Sequence, residues 1–466
     1  MAIIRDRDLV ADWNDMPASV LRKCIAEHQQ SIPRLNELER YYLGKHPILN
    51  RTMDSDTGLP NHRLVANHAK YITDIVVGYM VGDPVKYSGG NIEPVLEVYD
   101  KIDIVSHDTE LAKDLSMYGV GLELYYMSSD ESPYPKATVI DPRQLFLVVD
   151  DTIEYRPIFG VHYYPRKDGD GNIVKWSVNV YTENMVLYYE VKNISSEAYE
   201  LIDVREHFFG GVPVVEFWNN EEQQGDFEQQ LSLIDAYNTL QSDRVNDKAQ
   251  FVDAILKIVG ASLGDTEDEY SKTIQMLKKY KVLELPPNAD ADAGWLTKAL
   301  NEADTEVLRN AIKSDIHEFS MVPDLTDENF ASNVSGVAMR YKLFGLDTLS
   351  KTKDRYFIQG LRERLKLFAN VLRVKGKAVN VDDVEITMTH ELPADDVEKA
   401  NVVVQLKDLV SDETLLSQIS FVKDPAEELK RVAKQRKEAA KQQQQAFGMP
   451  MDGGSEGSVT DDEAAE

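Results

Sequence analysis

Met321-Val-Pro-Asp-Leu-Thr-Asp-Glu-Asn-Phe-Ala-Ser-Asn-Val-Ser-Gly-Val-Ala-Met-Arg-Tyr-Lys-Leu343 is the stretch on which the fold turns. Its first half does not continue a helix. Pro323 lacks a backbone donor, and the polar run Asp324, Thr326, Asp327, Glu328 and Asn329 favours turn over helix. Ser332 or Asn333 can then cap a restart. From Val334 a helical period runs to about Arg373, roughly 60 Å at 1.5 Å per residue. Gly336, Gly345 and Gly360 are the points where so long a helix can bend. Just upstream, Val307, Leu308, Ala311, Ile312, Ile316 and Phe319 share one side of a helix predicted over 302–320. A polar loop, 321–333, therefore joins two helices.

Further upstream, Phe227, Leu231, Ile234, Tyr237, Val245, Ala249, Val252, Leu256 and Val259 keep helical spacing from Asp226 to about Gly260. That predicts a helix of roughly 52 Å. Between the two upstream helices, 262–300 reads as a compact insertion. It has an amphipathic helix (Tyr270, Ile274, Leu277, Tyr280), a short strand over 282–285, the breaker Pro286-Pro287 and a polar turn up to Trp295. Downstream come a strand over 383–389 and short helices. The last of these starts at Asp424-Pro425-Ala426-Glu427, a capping box with proline at the first helical position. From Gln442 the chain is Gln-rich, then acidic and poor in apolar residues, the composition of a disordered tail.

The N-terminal half has a different rhythm. Helical spacing covers 17–42, with Pro33 breaking or restarting it, then 65–80 and 104–118. Residues 43–62 read as loop. A short strand over 85–87 follows the turn Gly82-Asp83-Pro84. From Gly119 the period becomes two: 120–127, 137–140, 145–149, 155–164, 174–181 and 185–191, ending near Val212–Trp218. Asp168-Gly-Asp-Gly-Asn172 joins two of these runs and suits a hairpin loop with positive φ. The prediction is a mainly antiparallel β region.

Composition bounds the function. The chain has 466 residues, one cysteine (Cys24) and a net charge of −29. One cysteine excludes a scaffold of intrachain disulfides. Such acidity disfavours general DNA binding, which needs basic surface. No run approaches the ~20 apolar residues of a membrane span, and the charged start Met1-Ala-Ile-Ile-Arg-Asp-Arg-Asp is unlike a signal peptide.

Motifs for chemistry are sparse. There is no G-x-x-x-x-G-K-[ST] cradle, no G-x-G-x-x-G and no H-E-x-x-H. His62 and His68 are spaced for different helix faces. The Asp168 segment has Ile173 and Asn179 where a calcium loop needs Gly and Glu, so a hairpin turn is favoured. Asp290-Ala-Asp-Ala-Gly294 reads as an acidic loop. No carboxylate spacing singles out an acid/base pair, and no cofactor or metal is expected.

The order of these segments resembles the portal proteins of tailed double-stranded-DNA bacteriophages, of the siphophage type. Residues 321–343 look like that family's tunnel loop entering its long wing helix. Asn61-His-Arg-Leu-Val-Ala-Asn67, Gly78-Tyr-Met-Val-Gly-Asp-Pro84, Asp141-Pro-Arg143 and Leu415-Leu-Ser-Gln-Ile-Ser-Phe-Val-Lys-Asp-Pro425 agree with it. The resemblance implies an α+β subunit of a ring. Its parts would be a wing over 1–225, stem helices over 226–261 and 301–320, a clip over 262–300 and the tunnel loop over 321–333. The long wing helix and a strand would follow over 334–392, then a crown over 393–441 and an acidic tail over 442–466.

The implied function is a non-enzymatic ring, dodecameric in the capsid, at one capsid vertex. Genomic DNA would be packaged and ejected through it. Implied partners are the terminase, head-completion proteins, and the major capsid and scaffolding proteins, in the virion and, during assembly, the host cytoplasm. Twelve copies would carry about −350 before counterions, a bore that repels phosphate. Expected channel residues are Pro323, Asp324, Thr326, Asp327, Glu328, Asn329, Ser332 and Asn333. Lys248, Lys257, Arg309 and Lys313, on the predicted stem helices, are candidates either for phosphate contact or for interhelical salt bridges. Lys278, Lys279 and Trp295 are the expected partner surface of the clip. The rival reading is a cytosolic hydrolase or transferase with an unrecognised carboxylate site.

Overall fold

The computed structural model describes residues 2–10, 13, 15–52, 60–251, 255–259, 266–280, 292–296, 302–326, 336–390, 403–407, 410–417, 422 and 428–437. In chain order the elements are β1 (Ile3–Ile4), α1 (Ala18–Gln29), α2 (Ile32–Tyr42), α3 (His68–Val81), β2 (Lys86–Ser88), α4 (Glu93–Lys101), α5 (Ile104–Tyr118), β3 (Val120–Met127), β4 (Pro135–Ile140), β5 (Leu145–Val149), β6 (Pro157–Lys167), β7 (Ile173–Tyr181), β8 (Met185–Val191), β9 (Glu200–Glu206), β10 (Val214–Trp218), α6 (Leu231–Phe251), β11 (Ile255–Val259), α7 (Glu267–Tyr280), β12 (Asp292–Leu296), α8 (Glu302–Ser320), α9 (Gly336–Val374), β13 (Glu385–Thr387) and α10 (Asp412–Ser417).

The switch from helical to strand period falls where the glycine is. Gly119 sits at φ +83° and ends α5, and a Cβ there would meet the Gln223 carbonyl at 2.2 Å. The strands form two main sheets: β1-β5-β6-β7-β8-β9 and β10-β3-β4. All their pairings are antiparallel except β1 on β5, which is parallel. The Asp168 segment is the β6–β7 hairpin, with Gly171 at φ +86° and the Asp168 carboxylate accepting from Asp170 N and Asn172 N.

Among the described residues three apolar clusters stand out. The six-stranded sheet buries Phe146, Val148, Val161, Val178 and Leu187 against Leu21, Cys24 and Ile25 of α1. Leu122, Leu124, Leu147, Val212 and Val214 pack together where the two sheets meet. The largest cluster joins α4, α5, β3 and β10 to α9 through Val95, Leu111, Leu115, Tyr125, Phe217, Phe357, Leu361 and Phe368. Gly360 admits the Phe217 ring, whose nearest atoms would lie 2.4 Å from a Cβ.

Charge is buried beside that cluster. Arg364, with no exposed surface, pairs with Asp108 at 2.7 Å and with Glu123, which also takes His107 and Tyr125 OH. Burial pushes Glu123 up, but Arg364 and His107 outweigh it and hold it down at about 2. Lys353 Nζ meets Asp226 at 2.5 Å, both side chains almost fully buried. Two buried ion-pair sites therefore pin α9 to the rest of its unit.

The chain divides into two compact units, 1–334 with 338–391, and 335–337 with 392–466. In the second, Ser411 Oγ caps α10 by accepting from Thr414 N, and 428–437 are helical with a Glu428–Arg431 pair.

The expectations for the segment after α6 change, and residues 292–294, expected in an acidic loop, lie in β12. The helix predicted over 226–260 is α6, which ends at Phe251; Ile255–Val259 is a strand paired antiparallel with β12. Ile255-Leu-Lys-Ile-Val259 is a short apolar run that fits either period, and cross-strand pairing decides it. Trp295, expected in a turn, lies in β12 opposite Leu256. The expected strand at 282–285, Pro286-Pro287 and the tail from 442 lie outside the described residues.

Candidate functional site

The chain offers a helix pair, α6 and α8, and the segment that leaves α8. Arg244 of α6 reaches Glu306 of α8 at 2.7 Å, and Arg309 pairs with the same carboxylate. One face of α8 buries Ile316, His317 and Ser320. The other leaves Val307 69%, Leu308 51% and Phe319 63% exposed. The helix stops because Met321 adopts φ +58°. His317 Nδ1 then donates to the Val322 carbonyl at 3.0 Å, and Val322 is fully buried. That leaves His317 Nε2 unprotonated. Burial lowers the pKa of His317, so the ring stays neutral against His68 and Tyr71 at 5.6 and 5.5 Å.

Beyond Val322 the segment is held from two sides. Tyr71 OH of α3 donates to the Pro323 carbonyl and accepts from Leu325 N, both at 3.0 Å. From α8, Lys313 pairs with Asp324 and donates to Thr326 Oγ1 at 3.4 Å. Asp324 Oδ1 accepts from Thr326 N at 3.1 Å and Thr326 Oγ1 at 2.6 Å. Burial pushes the Asp324 carboxyl up, but Lys313 and Thr326 outweigh it and hold it at about 2. Asp324 is therefore an engaged anion rather than a bare acidic tip.

On its other side α6 carries a polar ladder. Asn238 Oδ1, Ser242 Oγ and Asn246 Oδ1 accept from the amides of Ala66, Leu64 and His62 at 2.8, 2.9 and 2.6 Å. The match is geometric. Alternate amides of an extended chain recur every ~6.6 Å, and one helix position in four recurs every ~6 Å. The sequence pattern that marks the ladder is Asn-x-x-x-Ser-x-x-x-Asn on α6, whereas no spacing rule marks Tyr71 or His317.

The sequence-predicted residues fall as follows. Lys313 and Arg309 are on α8 and ion-paired; Lys248 is exposed on α6. Lys257 is a correction: it lies in β11 opposite Gly294, not on a helix, because the apolar run around it pairs with β12. Pro323, Asp324 and Thr326 are brought together with Lys313. Asp327, Glu328, Asn329, Ser332 and Asn333 lie outside the described residues. Lys278 and Lys279 are in the last turn of α7 and Trp295 is in β12.

A separate cleft of about 1060 Å³ lies between the six-stranded sheet, β10 and α9. Charged side chains on its wall pair among themselves, Arg156 with Glu154 and Lys366 with Glu363. Among the described residues no group of three or more His, Cys, Asp or Glu is placed to hold a metal ion, and no helix is long and apolar enough to cross a membrane.

The family described as phage portal protein, SPP1 Gp6-like, matches residues 21–442. A portal protein of Bacillus phage SPP1 is 25% identical over 451 residues, covering 91% of this chain and 88% of that protein. A portal protein of Clostridium phage phiCD119 is 22% identical over 438 residues, covering 88% and 94%. Among solved structures, the neck of an empty GTA particle aligns at 13% identity with a TM-score of 0.45, covering 75% of this chain and 89% of that chain. The neck of a native GTA particle aligns at 11% identity with a TM-score of 0.43, covering 76% and 89%.

Proposed function

The chain belongs to the phage portal protein family of the SPP1 Gp6-like type, and on that premise we propose that it works as one subunit of a closed ring that conducts genomic DNA. The observation that carries the ring is the uncovered face of α8. Val307, Leu308 and Phe319 of α8 expose apolar surface although Ile316 on the same helix is fully buried. A lone subunit would leave these side chains in water, whereas side-by-side copies cover them. In this reading the loop from Met321 to Asn333 faces the bore. An acidic subunit lets DNA slide, because it lacks the many basic contacts that make binding tight and salt-dependent.

The finer partners follow from the same reading. The module around β11, α7 and β12 presents Lys278, Lys279 and Trp295 to the terminase during packaging and to head-completion proteins afterwards. The ring is dodecameric at a capsid vertex, where capsid and scaffolding proteins surround it, after assembly in the host cytoplasm. ATP hydrolysis belongs to the motor, and this chain supplies no catalytic step.

The test is the native mass of the purified protein together with negative-stain images. Annular particles of many copies are expected, and Leu308→Asp with Phe319→Asp should abolish them while leaving subunit melting within about 0.5 kcal/mol of wild type. A compact monomer or dimer at every concentration would sink the reading.

A further inference from the structure

The segment leaving α8 is tied to two different elements, and the two ties are chemically unequal. On the α8 side, Lys313, Asp324 and Thr326 keep part of their surface in water, so that pairing is exchangeable. On the α3 side a single phenol does two jobs. Tyr71 OH satisfies a carbonyl at 323 and an amide at 325, the two backbone groups that Pro323 and the turn leave without helical partners. Its ring is edge-on to the His317 imidazole at 5.5 Å, and His317 fixes the Val322 carbonyl. Residues 322 to 325 are thus gripped at three backbone groups, the carbonyls of 322 and 323 and the amide of 325, by side chains of α3 and α8.

The element that grips is itself immobilised at its far end. Tyr79, two turns along α3, stacks on His390 at 4.9 Å, and His390 Nε2 meets Asp354 of α9 at 2.8 Å. Immediately before α3, the extended chain through Ala66 is held on α6 by the Asn238 ladder. Any displacement of the loop root that keeps Tyr71 engaged must therefore move a helix fastened to both α6 and α9.

We propose that Tyr71 is a positioning residue of the conduit, clamping the root of the channel loop to α3 so that every subunit presents its loop at the same height. The inference rests on the reading that this loop faces DNA. Replacing Tyr71 by Phe removes only the oxygen, leaving the ring against His317 and two backbone groups without that partner.

The experiment uses assembled rings of wild type, Tyr71→Phe and Lys313→Gln, each checked for ring mass and melting temperature. Residue-resolved hydrogen exchange reads the Leu325 amide, and single-particle packaging with the cognate motor reads backward slips of the DNA. For Tyr71→Phe, Leu325 exchange should rise roughly tenfold and slips severalfold. For Lys313→Gln, Leu325 exchange should change less than twofold, because the phenol still holds it. Unchanged Leu325 exchange in Tyr71→Phe rings would overturn the clamp. Faster exchange with unchanged slipping would overturn the positioning role. The loop's place in the DNA path is judged separately, by whether a photo-crosslinker at position 325 of otherwise wild-type rings marks the DNA.

Discussion

Around Arg364 the charges are out of water; beside Lys313 they keep a share of it. Arg364, Asp108 and Glu123 lie between α9, α5 and β3 with almost no exposed surface. Lys313 and Asp324 pair at the edge of α8 with roughly a quarter of each side chain still accessible. Taking ions out of water costs several kcal/mol each, and only tight, multiply bonded geometry offsets it. The buried set therefore holds α9 in one position or not at all. The edge pair, which keeps contact with water, costs less to open than the buried set. On the proposed reading, in which the segment after α8 lines the bore, the body of the subunit is held by the first kind of contact and the bore by the second.

The sharpest way to break that contrast is Arg364→Met. Removing Arg364 strands Asp108 and leaves Glu123 to His107 and Tyr125 OH, and the subunit should lose about 3–5 kcal/mol. Chemical denaturation would read it, and a loss below about 1 kcal/mol would mean that the cluster is not the pin described. Arg364 also shows where sequence reading stops. It sits in Arg362-Glu-Arg-Leu-Lys366, where nothing distinguishes a buried arginine from an exposed one. Its partner Glu123 is 241 residues away.

The α6 ladder should come next. Asn238→Ala, Ser242→Ala and Asn246→Ala each remove the acceptor of one backbone amide. About 1 kcal/mol per rung is expected, with exchange of the amides at 62, 64 and 66 rising together. If exchange rises only at the mutated rung, the ladder is three separate contacts.

Acidity distinguishes the regions again. Burial lowers His28 and His68 to about 4. His28 is wedged between Tyr163 OH and the Pro142 carbonyl, each at 2.8 Å. A histidine whose folded pKa is lowered contributes stability that is complete above its unfolded value near 6.5. That stability is lost as pH falls through about 4. Melting temperature should therefore drop between pH 6.5 and 4, and His28→Gln should flatten that slope. Asp324, held at about 2, works at the other end. Its contribution is present above ~3.9 and goes only as pH falls through about 2. Being partly exposed, Asp324→Asn should cost the least, under about 1 kcal/mol, read from the same melts at pH 7.

Legibility followed the physics of each element. α5, β3 and α8 were readable because each carries regularly spaced apolar residues, with Gly119 between α5 and β3 and Pro323 just beyond α8. β9 went unseen because Glu-Leu-Ile-Asp-Val-Arg-Glu206 lies at a sheet edge with six of its seven residues exposed, so no alternation marks it. α4 was passed over although Pro94 opens it and Val95, Val98 and Tyr99 are buried, because its nine residues are too few for a periodic signal. The loop was visible as a break, but its fastening was not. Tyr71 precedes Pro323 by 252 residues, and no spacing rule connects a phenol on one helix to a carbonyl beyond another.

The most direct test places a photo-crosslinking side chain at Leu325, exposed beside the clamp, and at Ile153, 96% exposed on the β5–β6 loop. Rings carrying either one are then stalled with DNA partly packaged. Heavy crosslinking to DNA from position 325 and little from 153 is the predicted result. Equal labelling, or none from 325 in rings that have demonstrably taken up DNA, would contradict the account.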